Sequence, residues 1–299
     1  MKRVLLILIF HSVAGGHVTS QDKNLNDLNG MLLSAKSKKQ KIDILNDFAD
    51  TLCLYRNDTG RLLAQEAMQL SIAENYFRGI GEASHSLGLV YFRRKNDSAL
   101  YFFKNALDFY KKEYPGFEKY LLALNNISRT FNEDLRYDSS LMYATTAVKT
   151  AERSSEPDLL KKRWVMFSCG AAANAYAGLN KYDSAAFYYL RAVKKAEELN
   201  NRKMLEVYLK GVSQMLSQTG NYDKAIEYLK KGILLIEDDD RALVIALSTL
   251  ADIYAKKKDY YHADLIADSS LRLSTRKSIG NSVGANYATL GSSKMAHHP

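Results

Sequence analysis

The apolar, small and polar positions of this chain recur in register. Four segments align: Asn221-Tyr222-Asp223-Lys224-Ala225, Lys181-Tyr182-Asp183-Ser184-Ala185, Arg136-Tyr137-Asp138-Ser139-Ser140 and Lys95-Asn96-Asp97-Ser98-Ala99. Asp259-Tyr260-Tyr261-His262-Ala263 makes a fifth. The closing small residue recurs at intervals of 41, 45, 40 and 38 residues, and seven places further on stands another: Ala106, Ala147, Ala192, Gly232, Ser270. Eleven or twelve places upstream stands a third: Gly88, Ser128, Ala173, Ser213, Ala251. Each of these has an apolar neighbour one before and an apolar or aromatic one three after, as in Leu87/Tyr91, Ile127/Phe131 and Leu250/Tyr254.

This spacing predicts pairs of antiparallel helices. Two helices joined by a tight turn approach closely only where small side chains meet at the crossing. The larger neighbours a turn away fill its flanks. The Tyr-Asp pair marks the turn, where the aspartate is expected to cap the second helix. Pro115 and Pro157 fall between repeats, where no helix has to continue. An earlier, degenerate pair is expected from Ile44 to Ala49 and from Gly60 to Leu70, the latter carrying Ala64, Ala67 and Met68. Residues 21–40 are polar and read as a linker or a frayed helix. Asn286-Tyr287-Ala288-Thr289-Leu290-Gly291 repeats the first-helix pattern once more. At least ten helices and no sheet are predicted.

These columns resemble the tetratricopeptide repeat. Leu87-Gly88-x-x-Tyr91, Leu250-Ala251-x-x-Tyr254, and Tyr222-Asp223-x-Ala225 followed by Gly232 carry the resemblance, which covers about residues 41–299. It implies an all-α fold: a right-handed α-α superhelix (solenoid) of antiparallel helix pairs, about six of them plus a terminal half-repeat. The repeats run near 40 residues, against about 34 in the family's usual unit. The usual first-helix Trp is missing, and Trp164, the only Trp, reads as lying just before a repeat. The Asn57-Asp58 turn and the link Tyr76-x-x-Gly79-Ile80-Gly81 resemble the N-terminal long-repeat arrays of bacterial sensor kinases and regulators. In those proteins the array precedes a membrane helix and kinase, or a DNA-binding effector.

The N-terminus reads differently. Met1-Lys2-Arg3 is basic, Val4 to Phe10 is a compact apolar run, and Val18-Thr19-Ser20 supplies small residues before Gln21. Residues 1–20 are therefore expected to be a secretory signal peptide, since seven apolar residues are too few to span a bilayer. The mature chain is expected to be exported, in a bacterium periplasmic, and not membrane-spanning after cleavage. The formal charge of the 299 residues is +9, and loss of Lys2 and Arg3 leaves +7. This excess is scattered in small clusters such as Lys161-Lys162-Arg163 and Lys256-Lys257-Lys258. Scattered cations read as solvated helix faces and ends, and nucleic acid is not an expected partner.

No catalytic constellation emerges. Gly79-x-Gly81 is followed by Ser at position 84 and preceded by helical sequence, not a strand. P-loop, Gly-x-Ser-x-Gly and His-Glu-x-x-His motifs are missing. His85, His262, His297 and His298 have no ligand-spaced partners, so no metal or cofactor is expected. Cys169 occupies a first-helix core place and reads as a small buried residue. Binding remains. First helices of such a solenoid line a continuous concave surface. The register places Asn125, Asn126, Arg129, Asn132, Asn174, Lys210, Gln214, Ser248 and Asp252 on it. Asn and Arg can hydrogen-bond the backbone or a carboxylate of an extended peptide. Asn125, Arg129, Asn132, Asn174, Lys210 and Gln214 are the candidate site. The family's carboxylate-binding pattern is not carried over, because Gly170 and Ala171 hold the places it needs.

Two readings of function follow. The first is a non-catalytic scaffold or sensor module that binds a peptide, protein or small ligand in its concave groove. The alternative is the extracytoplasmic sensor region of a membrane histidine kinase or DNA-binding regulator whose effector is missing.

Overall fold

The computed structural model describes residues 20–53, 57–112 and 117–277. The expected signal peptide up to residue 19, Pro115 and the half-repeat at 286–291 lie outside the described residues. Thirteen helices and no strand are found among the described residues. They are α1 (Ser20–Ser34), α2 (Lys38–Leu52), α3 (Asn57–Ala73), α4 (Phe77–Tyr91), α5 (Asn96–Lys112), α6 (Phe117–Glu133) and α7 (Tyr137–Arg153). There follow α8 (Asp158–Gly178), α9 (Tyr182–Glu198), α10 (Arg202–Gln218), α11 (Tyr222–Ile233), α12 (Asp240–Lys256) and α13 (Tyr260–Arg276).

Each helix packs on the next, and from α2 onward they form six pairs. First helices of neighbouring pairs also touch, α2 on α4, α6 on α8 and α10 on α12, which puts them on the inner side of the curve. The small-residue columns lie where the crossing argument requires. Ala99, Ser140, Ala185, Ala225 and Ala263 are fully buried, as are Ala173, Ser213 and Ala251. Where two serines meet they bond: Ser128 Oγ and Ser140 Oγ are 3.0 Å apart. Residues 21–40 hold most of α1 and the start of α2, and Leu28 of α1 is buried against Ile44, Leu45 and Leu52. Gly79 and Gly81 sit inside α4, where Gly79 lets the helix press on its neighbours: a Cβ there would lie 2.3 Å from Ser71 Oγ and 2.7 Å from Ile42.

The turns correct one expectation. Asp138, Asp183 and Asp223 do not cap; they stand one residue inside α7, α9 and α11. The cap places belong to Arg136, Lys181 and Asn221, whose side chains make no cap bond. Backbone closure takes over instead. Leu135, Asn180, Gly220 and Lys258 adopt the left-handed conformation. Just after them, Arg136, Lys181, Asn221 and Asp259 donate their N–H to Phe131, Tyr176, Leu216 and Tyr254, each at 2.9 Å. This satisfies the last carbonyls of the preceding helix. The aspartates then act through their charge on the helix N-terminus. At α13 an aspartate does cap, with Asp259 Oδ1 accepting from His262 N at 3.3 Å, and α12 is capped in the same way by Asp239, whose Oδ1 accepts from Ala242 N at 2.9 Å. Trp164 is also corrected: α8 begins at Asp158, so the indole lies within a first helix.

The apolar core is broken into clusters along the solenoid. One spans α1 to α4 and one, around Phe103, Ile127 and Phe131, spans α5 and α6. The largest runs from α6 to α10, and a last one joins α11 to α13. Only a few half-buried side chains, among them Leu107, Tyr143 and Leu216, belong to two neighbouring clusters.

Candidate functional site

Three first helices, α6, α8 and α10, enclose a cavity of about 440 Å³. The register explains its walls. Six places before each small marker stand Leu122, Phe167 and Val207, and all three line it. Trp164 and Met204 hold the column three places earlier still and close the apolar side with Tyr208. Gly170 makes room: a Cβ there would fall 2.6 Å from the Tyr208 ring.

The opposite wall, on α6, is polar. Asn125 donates its Nδ2 to Leu121 O at 2.9 Å and to Ser168 Oγ at 3.0 Å, which leaves its Oδ1 without a donor. Asn132 Oδ1 is likewise buried without a partner. The Arg129 guanidinium lies over the Phe92 ring, 4.2 Å from its centroid. Burial, and next the nearby Arg93, lower the pKa of Arg129, while Glu133 opposes them. Glu133 is itself engaged by Arg93 at 2.7 Å. Among the described residues no carboxylate lies within ion-pairing distance of Arg129. Arg163 stands on the far wall, 3.8 Å from Glu118. The lining thus holds two guanidiniums and no carboxylate.

Of the six candidates, Asn125, Arg129, Asn132 and Asn174 line this cavity together, and Asn174 is also bonded by the Tyr189 hydroxyl. Lys210 and Gln214 do not line it. They lie on α10 one and two turns beyond Val207. The apolar wall stands six and nine places before the marker, where a large apolar side chain looks like ordinary helix core in sequence. The repeated apolar column of Leu122, Phe167 and Val207 was the available signal.

A second polar cluster joins α2, α4 and α6. His85 is buried, with Nδ1 3.0 Å from Asp50 Oδ1 and Nε2 2.9 Å from Asn126 Nδ2. Burial pushes the Asp50 pKa upward, but the bond and charge of His85 outweigh it, so Asp50 is held below the usual carboxylate range. Glu82, buried one turn before His85, is raised by its burial despite Lys119 and Arg78. The two thiols carry no reactive signature: burial pushes Cys53 up to about 12 and Cys169 up to about 11. Among the described residues no group of His, Cys, Asp and Glu is arranged to hold a metal, and no helix is long and apolar enough to cross a membrane.

Residues 208–239 match the tetratricopeptide repeat family model. No curated protein matches the chain. Solved structures share its architecture. The repeat-bearing signal-transduction ATPase with numerous domains from Pyrococcus horikoshii, described as carrying a tetratricopeptide repeat sensor, superposes with a TM-score of 0.70 at 16% identity, over 88% of this chain and 41% of that one. The apo quorum sensor NprR from B. thuringiensis gives 0.62 at 14% identity, over 90% and 81%. A Rap protein complexed with competence and sporulation factor gives 0.59 at 15% identity, over 91% and 79%. Residues 208–239 are thus matched as a tetratricopeptide repeat, and the chain as a whole has the fold of an all-α solenoid of helix pairs.

Proposed function

We propose that this protein is a non-catalytic interaction module that binds an extended peptide or protein segment in the cavity between α6, α8 and α10. Arg129 carries the reading. An exposed guanidinium that rests on an aromatic ring and has no carboxylate partner among the described residues, in a cavity whose lining holds no acidic residue, suits an anionic or carbonyl-rich ligand. A peptide's carbonyls or C-terminal carboxylate supply this, and the apolar wall of Trp164, Phe167, Met204 and Val207 accepts its side chains. The Rap complex and the quorum sensor NprR, which share the fold, support a solenoid of this kind as a receptor.

Selection from a random peptide library tests this. The wild-type chain is expected to enrich peptides whose binding falls about 10- to 100-fold in Arg129→Ala, with the melting temperature nearly unchanged. No enrichment, or equal binding by the variant, rejects the cavity as the site. We propose further that the basic and apolar pattern of residues 1–20 directs export, in which case mass spectrometry of the secreted chain finds Gln21 at its N-terminus. A second reading, the sensor region of a longer signalling protein, draws support from the Pyrococcus ATPase, of which the matched array is 41%. An effector encoded in the same reading frame would establish it.

A further inference from the structure

Asn126 stands on the cavity wall, but its amide is also the end of a buried relay. The relay crosses three first helices, from Asp50 on α2 through His85 on α4 to Asn126 on α6. Because the Asn126 Nδ2 donates to His85 Nε2, that nitrogen is the imidazole's acceptor, and Nδ1–H is the atom that donates to Asp50. Asn126 lines the cavity, its one side-chain bond among the described residues is made through Nδ2, and its Oδ1 is open to whatever enters.

Resting on the reading of this cavity as a binding site, we propose that His85 sets the hydrogen-bonding polarity of its wall: proton uptake by His85 rotates the Asn126 carboxamide and replaces the ligand-facing acceptor with a donor. The chemistry is simple. A proton from solvent binds Nε2, and the imidazolium then presents N–H groups on both sides. The one on Nδ1 keeps Asp50 as its acceptor. The one on Nε2 now faces the Asn126 NH₂, donor against donor. Rotation of the amide by half a turn gives Nε2–H the Oδ1 as acceptor and moves the NH₂ to the cavity. With Arg129 it then makes a donor pair suited to a carboxylate. In the neutral state the Asn126 Oδ1 is the acceptor offered to a peptide N–H.

The surroundings of His85 favour such a switch. From α2 it meets the Asp50 carboxylate, which is half-exposed and gives the ring a route to solvent. Beyond it lies the buried Cys53 thiol, which stays neutral. From α5 it meets the uncharged Phe103 ring, 5.7 Å away between centroids, with the Tyr110 hydroxyl further off on Gly81 O. From α6 it meets Asn126, and Lys119, early on that helix, acts on Asp50. On its own helix, Glu82 is paired to Arg78 at 3.2 Å.

The test needs no ligand. In the uniformly ¹⁵N-labelled chain, the His85 ring nitrogens and the Asn126 side-chain amide are followed from pH 8 to pH 5. The amide is assigned by its loss in Asn126→Asp. Both sets of signals are expected to move together, and in Asp50→Asn that joint movement is expected only at lower pH, since the imidazolium has lost its carboxylate. In His85→Gln the Asn126 signals should no longer move with pH. A ring that keeps one protonation state from pH 8 to pH 5, or one that titrates while the Asn126 amide stays still, overturns the proposal. Joint titration together with undiminished peptide binding by Arg129→Ala would instead reject the binding site and leave the relay standing.

Discussion

The α2–α4 end of the inner surface and the α6–α10 cavity stand on one repeat register and treat it in opposite ways. Three places before the small marker, α4 carries His85 and α6 carries Asn125. One place after it, α4 carries Leu89 and α6 carries Arg129. On α4 ten residues are buried, Glu82, Ser84, His85 and Ser86 among them; His85 bonds to both neighbouring first helices, and Glu82 is paired to Arg78 on α4 itself. On α6 Asn125 bonds Leu121 O and Ser168, and Arg129 rests on Phe92 with no ion-pair partner among the described residues. The cause lies partly in the glycines. Gly79 and Gly81 let α4 sink between its neighbours, whereas Gly170 lets the Tyr208 ring lie across α8 at the edge of open space. A repeat register fixes which residues face inward. What they do there depends on how far the next helix approaches.

Glycine replacement should show the difference most strongly. Gly79→Leu is expected to destabilise by about 3 kcal/mol or more, because Ser71 and Ile42 have nowhere to retreat. Gly170→Ala should cost under about 1.5 kcal/mol, because Tyr208 can swing into the cavity. Denaturant midpoints measure both, and equal losses would erase the distinction between closed and open ends.

Next come the two polar residues. His85→Ala strands Asp50 and Asn126 and should cost about 1–3 kcal/mol of stability. Arg129→Ala loses chiefly the Phe92 contact, about 1 kcal/mol or less, and is expected to act on binding instead.

A smaller effect follows from Glu82. Its folded-state pKa is raised by burial, so it supports folding fully below its unfolded pKa, and that support is lost as pH rises through the folded value. Glu82→Gln should therefore melt somewhat higher than wild type at pH 7, with the gap closing below about pH 4. A gap that widens in acid would mean that the Arg78 pair outweighs burial. The smallest change is expected in a turn: Leu135 is exposed and left-handed at φ 58°, so Leu135→Gly should gain about 0.5–1 kcal/mol.

Much of the fold was legible in the chain. Small residues at a helix crossing tolerate no larger neighbour, so Ala185 and Ala225 declare their positions without help from the structure. The turns were harder, because a Schellman closure depends on backbone conformation, and Leu135 or Lys258 gives no hint of a left-handed residue. Within the site, Asn125, Arg129, Asn132 and Asn174 could be placed because they sit beside the markers. Trp164, Phe167 and Val207 stand further along the same helices and look like ordinary core residues in sequence. The His85 relay was out of reach, since its three members lie 35 and 41 residues apart and meet only through helix packing.

The division of the apolar core into clusters bears on how the molecule comes apart. Neighbouring clusters communicate through a few side chains such as Leu107, Tyr143 and Leu216, so loss of one need not drag down the next. Heating should release the α11–α13 end before the α6–α10 block, which holds the largest core. The calorimetric enthalpy would then exceed the van 't Hoff value, as cooperativity spread over several units requires. A molecule built this way can loosen one end while the α6–α10 cavity keeps its shape.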